Sequence, residues 1–199
     1  MASPLSNRVL SEALPGDEGT ALRVKQVLLV AFGVAALAVA AKIKVPFWPV
    51  PITMQTFVVL TIGAAYGLRL GVGTVLAYLV IGALGFDVFT SSSAEANGIS
   101  YMMGSTGGYL VGFALAAGLL GVLARAGWDR SVGRMALALL LGNIAIYVPG
   151  LLWLGQLYGW EKPILEWGLY PFLAGDALKL ALAALLLPAA WRMVGDARR

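Results

Sequence analysis

The chain has 199 residues, 60% hydrophobic and 12% charged, with a net charge of +4 and a mean hydropathy of +0.85. Soluble globular domains carry about a quarter charged residues, so this composition marks an integral membrane protein. Without cysteine or histidine, disulfides, thiolate catalysis, iron–sulfur clusters and histidine-based zinc sites or proton relays are excluded; the basic residues are too few and scattered for a nucleic-acid surface.

Residues 1–22 are rich in Ser, Pro and Gly and carry Glu12, Asp17 and Glu18. They read as a mobile polar tail. No cleavage pattern follows the first apolar run, so that run is an uncleaved span. A spanning helix needs about 20 apolar residues. Taking glycine, proline and charge clusters as breaks gives six runs: 24–41, 52–66, 70–84, 103–123, 135–157 and 169–191. The second and third are short, and only Gly67, Leu68 and Arg69 separate them. The membrane domain then covers 23–192, with a short tail at 193–199. With the N-terminus in the cytoplasm, ten basic residues fall on the cytoplasmic side: Arg8, Arg23, Lys25, Arg69, Arg125, Arg130, Arg134, Arg192, Arg198 and Arg199. Three fall outside: Lys42, Lys44 and Lys162. The positive-inside rule therefore predicts a multi-pass protein of the cytoplasmic membrane with both termini in the cytoplasm.

Taken in chain order, the unusual features are these. The first span carries Ala31, Ala35, Ala36 and Ala40, small residues that let another helix approach closely, either within the chain or from another subunit. Pro46, Pro49 and Pro51 forbid a continuing helix, so an extended segment precedes the second span. Trp48 there suits a membrane interface, and Thr53 and Gln55 enter the next span as hydrogen-bonding groups. Residues 86–100 form the longest polar insert, either a lid or a plain solvated loop. Gly104, Gly108 and Gly112 recur at steps of four, and Thr106, Gly107 and Tyr109 sit where backbone and an aromatic wall can meet a ligand. Asn143 and Tyr147 lie one turn apart in the fifth span, suited equally to an interhelical bond or to a cavity wall. Asp176 and Lys179 are the sharpest signal. Ionisable groups inside a span are costly and usually functional, and their i, i+3 spacing puts them on one face. They serve either as a silent ion pair or as the polar end of a ligand site. Asp176 stands nine residues from Trp167 and fifteen from Trp191, which favours the outer half of the bilayer.

Other chemistry is missing. No Gly-Lys pair exists, so there is no phosphate-binding loop and no ATPase. No nucleophile–base set appears, which disfavours an intramembrane enzyme and leaves no catalytic residue to name. No cofactor and no metal are expected.

Together these segments resemble the BioY family, the biotin-specific substrate-binding (S) components of energy-coupling factor (ECF) transporters. The resemblance rests on four stretches: Phe47-Trp48-Pro49-Val50-Pro51-Ile52-Thr53-Met54-Gln55-Thr56-Phe57; Gly104-Ser105-Thr106-Gly107-Gly108-Tyr109-Leu110-Val111-Gly112-Phe113; Gly142-Asn143 with Tyr147 and Trp153; and Pro171 with Gly175-Asp176 and Lys179. It covers roughly residues 24–191. It implies an all-α integral membrane protein, a six-transmembrane-helix bundle of the ECF S-component type, that captures external biotin with high affinity. Another small vitamin, or a self-contained small-solute transporter, is the alternative. It also implies as partners a transmembrane coupling subunit and cytoplasmic ATPases, besides membrane lipid. The family's docking face maps onto Ala31, Ala35, Ala36 and Ala40. Its ligand-binding Asp and Lys map onto Asp176 and Lys179, with Asp176 accepting from ureido N–H groups and Lys179 either attracting the carboxylate or orienting Asp176. Asn143, Tyr147, Gln55, Thr53, Thr106, Gly107 and Tyr109 complete the expected site. Two departures stand out: Ser105 replaces the family's usual proline, and the stretch 91–97 is not glycine-rich. No lid contact is assigned there.

Overall fold

The computed structural model describes residues 8–16, 18–91 and 97–196. The elements are α1 (Leu10–Ala13), α2 (Gly19–Lys42), β1 (Lys44–Val45), β2 (Ile52–Thr53), α3 (Gln55–Ala83), α4 (Gly98–Met102), α5 (Gly107–Arg125), a 3-10 turn (Trp128–Arg130), α6 (Val132–Tyr158), α7 (Ile164–Gly168) and α8 (Tyr170–Asp196). Among the described residues, five helical stretches are long and apolar enough to cross a membrane: Gly19–Lys42, Gln55–Ala83, Gly107–Arg125, Val132–Tyr158 and Ile164–Val194. The chain is a helical, multi-pass membrane protein.

The second and third apolar runs join in α3, which is not one straight rod. Gly67 breaks the helix with φ 78° and ψ 178°, a conformation that glycine adopts without a Cβ penalty. The chain reverses there. A Cβ built on Gly71 would stand 3.2 Å from the Cα of Gly63, whereas eight residues of straight helix separate two Cα atoms by about 12 Å. Arms 55–66 and 68–83 therefore lie side by side, spanning about 18 and 24 Å. Glycines make that hairpin possible because the backbones almost touch.

α5 runs through the middle and packs on α3 on one side and α6 on the other. Its small residues serve these intramolecular contacts. A Cβ on Gly112 would lie 2.7 Å from the Cα of Ile146, and one on Gly63 would lie 2.8 Å from the Cα of Ala117. Close backbone approach of this kind replaces the hydrophobic drive that lipid does not supply. Large apolar side chains such as Leu76, Val111, Leu115, Ile144, Val148, Leu182 and Leu185 point outward, as a lipid-facing surface requires.

The start of α2, the Gly67 tip, the end of α5, the start of α6 and the end of α8 gather at one end of the bundle, the basic end. Here the structure differs from a polar tail. Val9 is fully buried against Gly67, Ser11 donates to the Tyr66 carbonyl, and Glu12 pairs with Arg125. Val9 and Ala13 are apolar, and they fill the notch that a glycine tip leaves. The Trp191 indole donates to the buried Asp129 carboxylate, and Arg130 lies 4.4 Å over the Trp191 ring. Burial pushes the Asp129 carboxyl above its usual range, although the Trp191 bond and the Arg130 charge pull it down.

At the other end, the proline-rich segment folds as a ribbon in which Lys44 faces Thr53 and Val45 faces Ile52. The fourth helix starts at Gly107 rather than 103, because a turn and the short α4 precede it. The polar insert is only partly solvated: Phe89 and Thr90 are buried, while residues 92–96 lie outside the described set. Trp48 is exposed and packs edge-on against Trp167 at 4.9 Å and Tyr158 at 5.9 Å, an aromatic cluster suited to a membrane interface.

Candidate biotin-binding site

The last helix brings Asp176 and Lys179 one turn apart, and both are almost fully buried, at 3% and 7% exposure. Lys179 Nζ donates to Asp176 Oδ1 at 2.9 Å, to the Thr53 carbonyl at 2.7 Å and to Thr56 Oγ1 at 3.1 Å. An ammonium has three N–H bonds, so all are used. The Asp176 carboxylate accepts from Thr56 at 3.3 Å, from Asn143 Nδ2 at 3.5 Å and from the Tyr147 hydroxyl. A buried ion pair is tolerated only with this kind of satisfaction. The result is a neutral but strongly polar floor tying α8 to α3 and α6. Asn143 Oδ1 is buried with no hydrogen-bond partner among the described residues.

Above the floor lies a cavity in which a few polar groups are set among apolar and aromatic walls, the usual make-up of a small-molecule site. Of the residues expected in the site, Thr53, Gln55, Thr106, Tyr109, Tyr147 and Lys179 line it. Asp176 and Asn143 stand immediately behind Lys179 and Tyr147, reached through their hydrogen bonds. Gly107 is not on the wall. A Cβ there would collide with the Met102 carbonyl and crowd the Trp153 indole at 3.1 Å, so this glycine admits the tight turn from α4 into α5 beside Trp153, whose indole donates to the Gly104 carbonyl at 2.8 Å.

The structure adds residues that the sequence reading left out. Thr56 bridges both charges of the floor. Phe89, Thr90, Tyr101, Phe113 and Phe172 supply much of the remaining wall. Tyr78 is fully buried and accepts from Gln55 Nε2 at 2.8 Å, while Thr90 donates to Gln55 Oε1 at 2.9 Å. Gln55 is therefore held rigid by the segment that covers the cavity. Phe89 is seated in a gap at Gly82, where a Cβ would collide with its ring, and stacks on Tyr101 at 4.8 Å. Lys42 donates to Asp87 at 2.6 Å and to the Phe89 carbonyl at 2.7 Å, and Lys44 donates to the Thr90 carbonyl at 2.7 Å. The 87–91 segment is thus pinned from β1 and the end of α2. Beyond it an outer recess, lined by Lys44, Trp48, Ser105 and others, shares Pro51, Tyr101 and Thr106 with the inner cavity.

The alanines of α2 divide. Ala31 and Ala35 are exposed and Ala36 is half-buried, on a helix whose outer face also shows Leu28, Phe32 and Val39. Ala40 is 3% exposed and packs inward. A face made of all four does not exist: Ala31 and Ala35 share the outer side of the helix, the step from 35 to 36 turns the stripe by about 100°, and Ala36 and Ala40 follow on the side toward the protein.

Comparison with known proteins agrees with this architecture. The BioY family matches residues 13–196. A protein of Pyrococcus horikoshii described as a probable biotin transporter BioY is 37% identical over 165 residues, covering 83% of this chain and 95% of that one. The biotin transporter BioY of Thermotoga maritima is 31% identical over 167 residues, covering 82% and 94%. A crystal structure of the S-component for biotin from an ECF-type ABC transporter superimposes with a TM-score of 0.74 at 25% identity, covering 88% of this chain and 95% of that one. A family match over nearly the whole length, and a relative of this identity and coverage, place the chain: it belongs to the BioY family.

Proposed function

We propose that this chain captures biotin outside the cell and serves its uptake as the substrate-binding component of an ECF-type transporter. The observation that carries this is the cavity with a neutral, fully bonded Asp176–Lys179 floor. Biotin has a compact apolar ring system and an uncharged ureido group with paired donors and acceptors. A neutral polar floor matches the ureido group; aromatic walls from Phe89, Tyr101, Tyr109 and Phe172 match the rings. Asp176 accepts from one ureido N–H in exchange for one of its present donors, and Asn143 Oδ1, without a partner among the described residues, accepts from the other. Lys179, with each N–H already used, holds Asp176 in place. The carboxylate end then points to the outer recess, where Lys44 stands. The chain is a transporter component and not an enzyme.

In this reading the two arms of α3 count as separate passes, which makes six. The excess of Lys and Arg at the basic end sets that end, with both termini, in the cytoplasm. Ala31 and Ala35 present the small-residue face to a transmembrane coupling subunit, whose partner ATPases supply the energy that this chain has no residues to harvest.

A panel of radiolabelled vitamins offered to the purified protein tests the ligand. Saturable biotin binding at or below micromolar concentration is expected. Binding of a different vitamin, with none of biotin, would reassign the site. Vesicles containing this chain alone, compared with vesicles that also hold the partner subunits, test whether uptake needs them.

A further inference from the structure

The basic end carries a second concavity that the biotin reading does not use. It is an open groove between α1, the first turns of α2, the Gly67 tip of α3 and the end of α5. Among the described residues Arg8, Lys25, Arg69 and Arg125 line it, with one carboxylate, Glu12. Glu12 is paired with Arg125, and Lys25 donates to the Leu14 carbonyl at 3.2 Å. Arg69 is exposed and makes no hydrogen bond or ion pair among the described residues. The described lining therefore holds more basic than acidic side chains.

Between the charges the lining has apolar side chains, Leu22, Leu29, Leu68, Leu70 and Val122, beside Ser11, Gln26 and Tyr66. α2, α3 and α5, which bound the groove, are long and apolar enough to cross a membrane. Phe32, one turn beyond Leu29 on the same face of α2, is 69% exposed and continues the apolar track toward the bilayer centre. A soluble anion needs cations only; a cationic pocket with an apolar exit track suits an amphiphile.

We infer that this groove holds the headgroup of an anionic phospholipid, with its phosphate among Lys25, Arg69 and Arg125 and its acyl chains along α2. Basic pockets between membrane helices attract anionic headgroups in this way. The proposal is independent of what occupies the biotin cavity; the leaflet depends on the proposed orientation, and because the acyl track shares Phe32 with the face proposed for the coupling subunit, it concerns the chain without that subunit.

Native mass spectrometry of the full chain, released from detergent after mixing with equal amounts of phosphatidylglycerol and phosphatidylcholine, tests it. Phosphatidylglycerol is expected to bind roughly tenfold more tightly. Lys25→Gln and Arg69→Gln, singly and together, should lower that preference stepwise toward parity, with helix content by circular dichroism unchanged. Arg192→Gln, an exposed basic residue on α8 away from the groove, should leave it intact. Equal retention of the two lipids by the wild type overturns the inference. So does a preference that survives the double substitution, or one lost equally in Arg192→Gln. Displacement of phosphatidylglycerol by an equal concentration of inorganic phosphate also overturns it, by making the groove a soluble-anion site.

Discussion

Replacing Asp176 with Asn probes the floor of the cavity most sharply. The substitution keeps the size of the side chain and one oxygen to accept from Tyr147, but removes the charge opposite Lys179. At 7% exposure the ammonium cannot turn to water, and it keeps only the Thr53 carbonyl and the Thr56 hydroxyl. Breaking a buried pair by removing one partner costs about 3–5 kcal/mol, whereas removing both charges is often near neutral. Asp176→Asn should therefore lower the melting temperature of the detergent-solubilised protein while leaving it folded. The double variant Asp176→Asn, Lys179→Met should recover most of that loss. Biotin affinity should behave differently. Losing a charged acceptor for the ureido N–H groups costs about 1.5–3 kcal/mol, which is roughly ten- to a hundredfold in Kd, and the double variant restores none of it. Calorimetric titration with biotin and thermal melts on the four proteins of this cycle separate the two effects. An Asp176→Asn protein that binds biotin within threefold of wild type removes the carboxylate from ligand recognition. A double variant that regains affinity together with stability shows that the pair acts only through the fold.

Further expectations follow from other sites. Gly82→Val should unseat Phe89, because the new Cβ occupies the space of its ring; biotin affinity should drop at least tenfold while fluorescence still reports a folded bundle. Ala35→Trp enlarges an exposed position on α2, so it should leave biotin binding intact yet reduce copurification with the coupling subunit. Undiminished copurification would move the docking face elsewhere. For Asp129, a folded-state pKa above the unfolded value of about 4 means the folded protein holds the extra proton, so its stabilising contribution is complete at lower pH and is lost as pH rises through the raised pKa. Melting temperature measured from pH 4 upward should fall less in Asp129→Asn than in wild type; parallel curves would remove Asp129 from the pH response.

The parts legible in the sequence were those where a residue type is out of place. Asp176 and Lys179 are conspicuous in an apolar helix because burying charge is expensive, and Asn143 and Tyr147 stand out for a milder version of the same reason. Gly67 shows as an interruption between two short apolar runs, counted as separate spans with Arg69 between them on the cytoplasmic side; the structure adds that the arms touch at Gly63 and Gly71. What stayed hidden is apolar or aromatic. Phe89, Tyr101 and Phe172 line the cavity, yet an aromatic ring at a ligand and one in a core have the same pattern. Tyr78 reads as an ordinary span residue until Gln55 is found bonded to it. Val9 is invisible as a packing residue because it lies in a short, largely polar stretch, and its partner is a glycine nearly sixty residues away. Ala40 is the reverse case. The resemblance set it with the other alanines as a docking position, but it follows Ala36 on the side of the helix that faces the protein.

The most direct measurement of the central claim is the thermal unfolding of the purified chain with and without biotin. A ligand that binds only the folded state at about a thousand times its Kd adds about 4.1 kcal/mol, which for a chain of this size is a rise of roughly 10 °C. A saturable rise of that order with biotin, at one molecule per chain, is the predicted result. No shift with biotin at concentrations well above micromolar would contradict the assignment of the cavity.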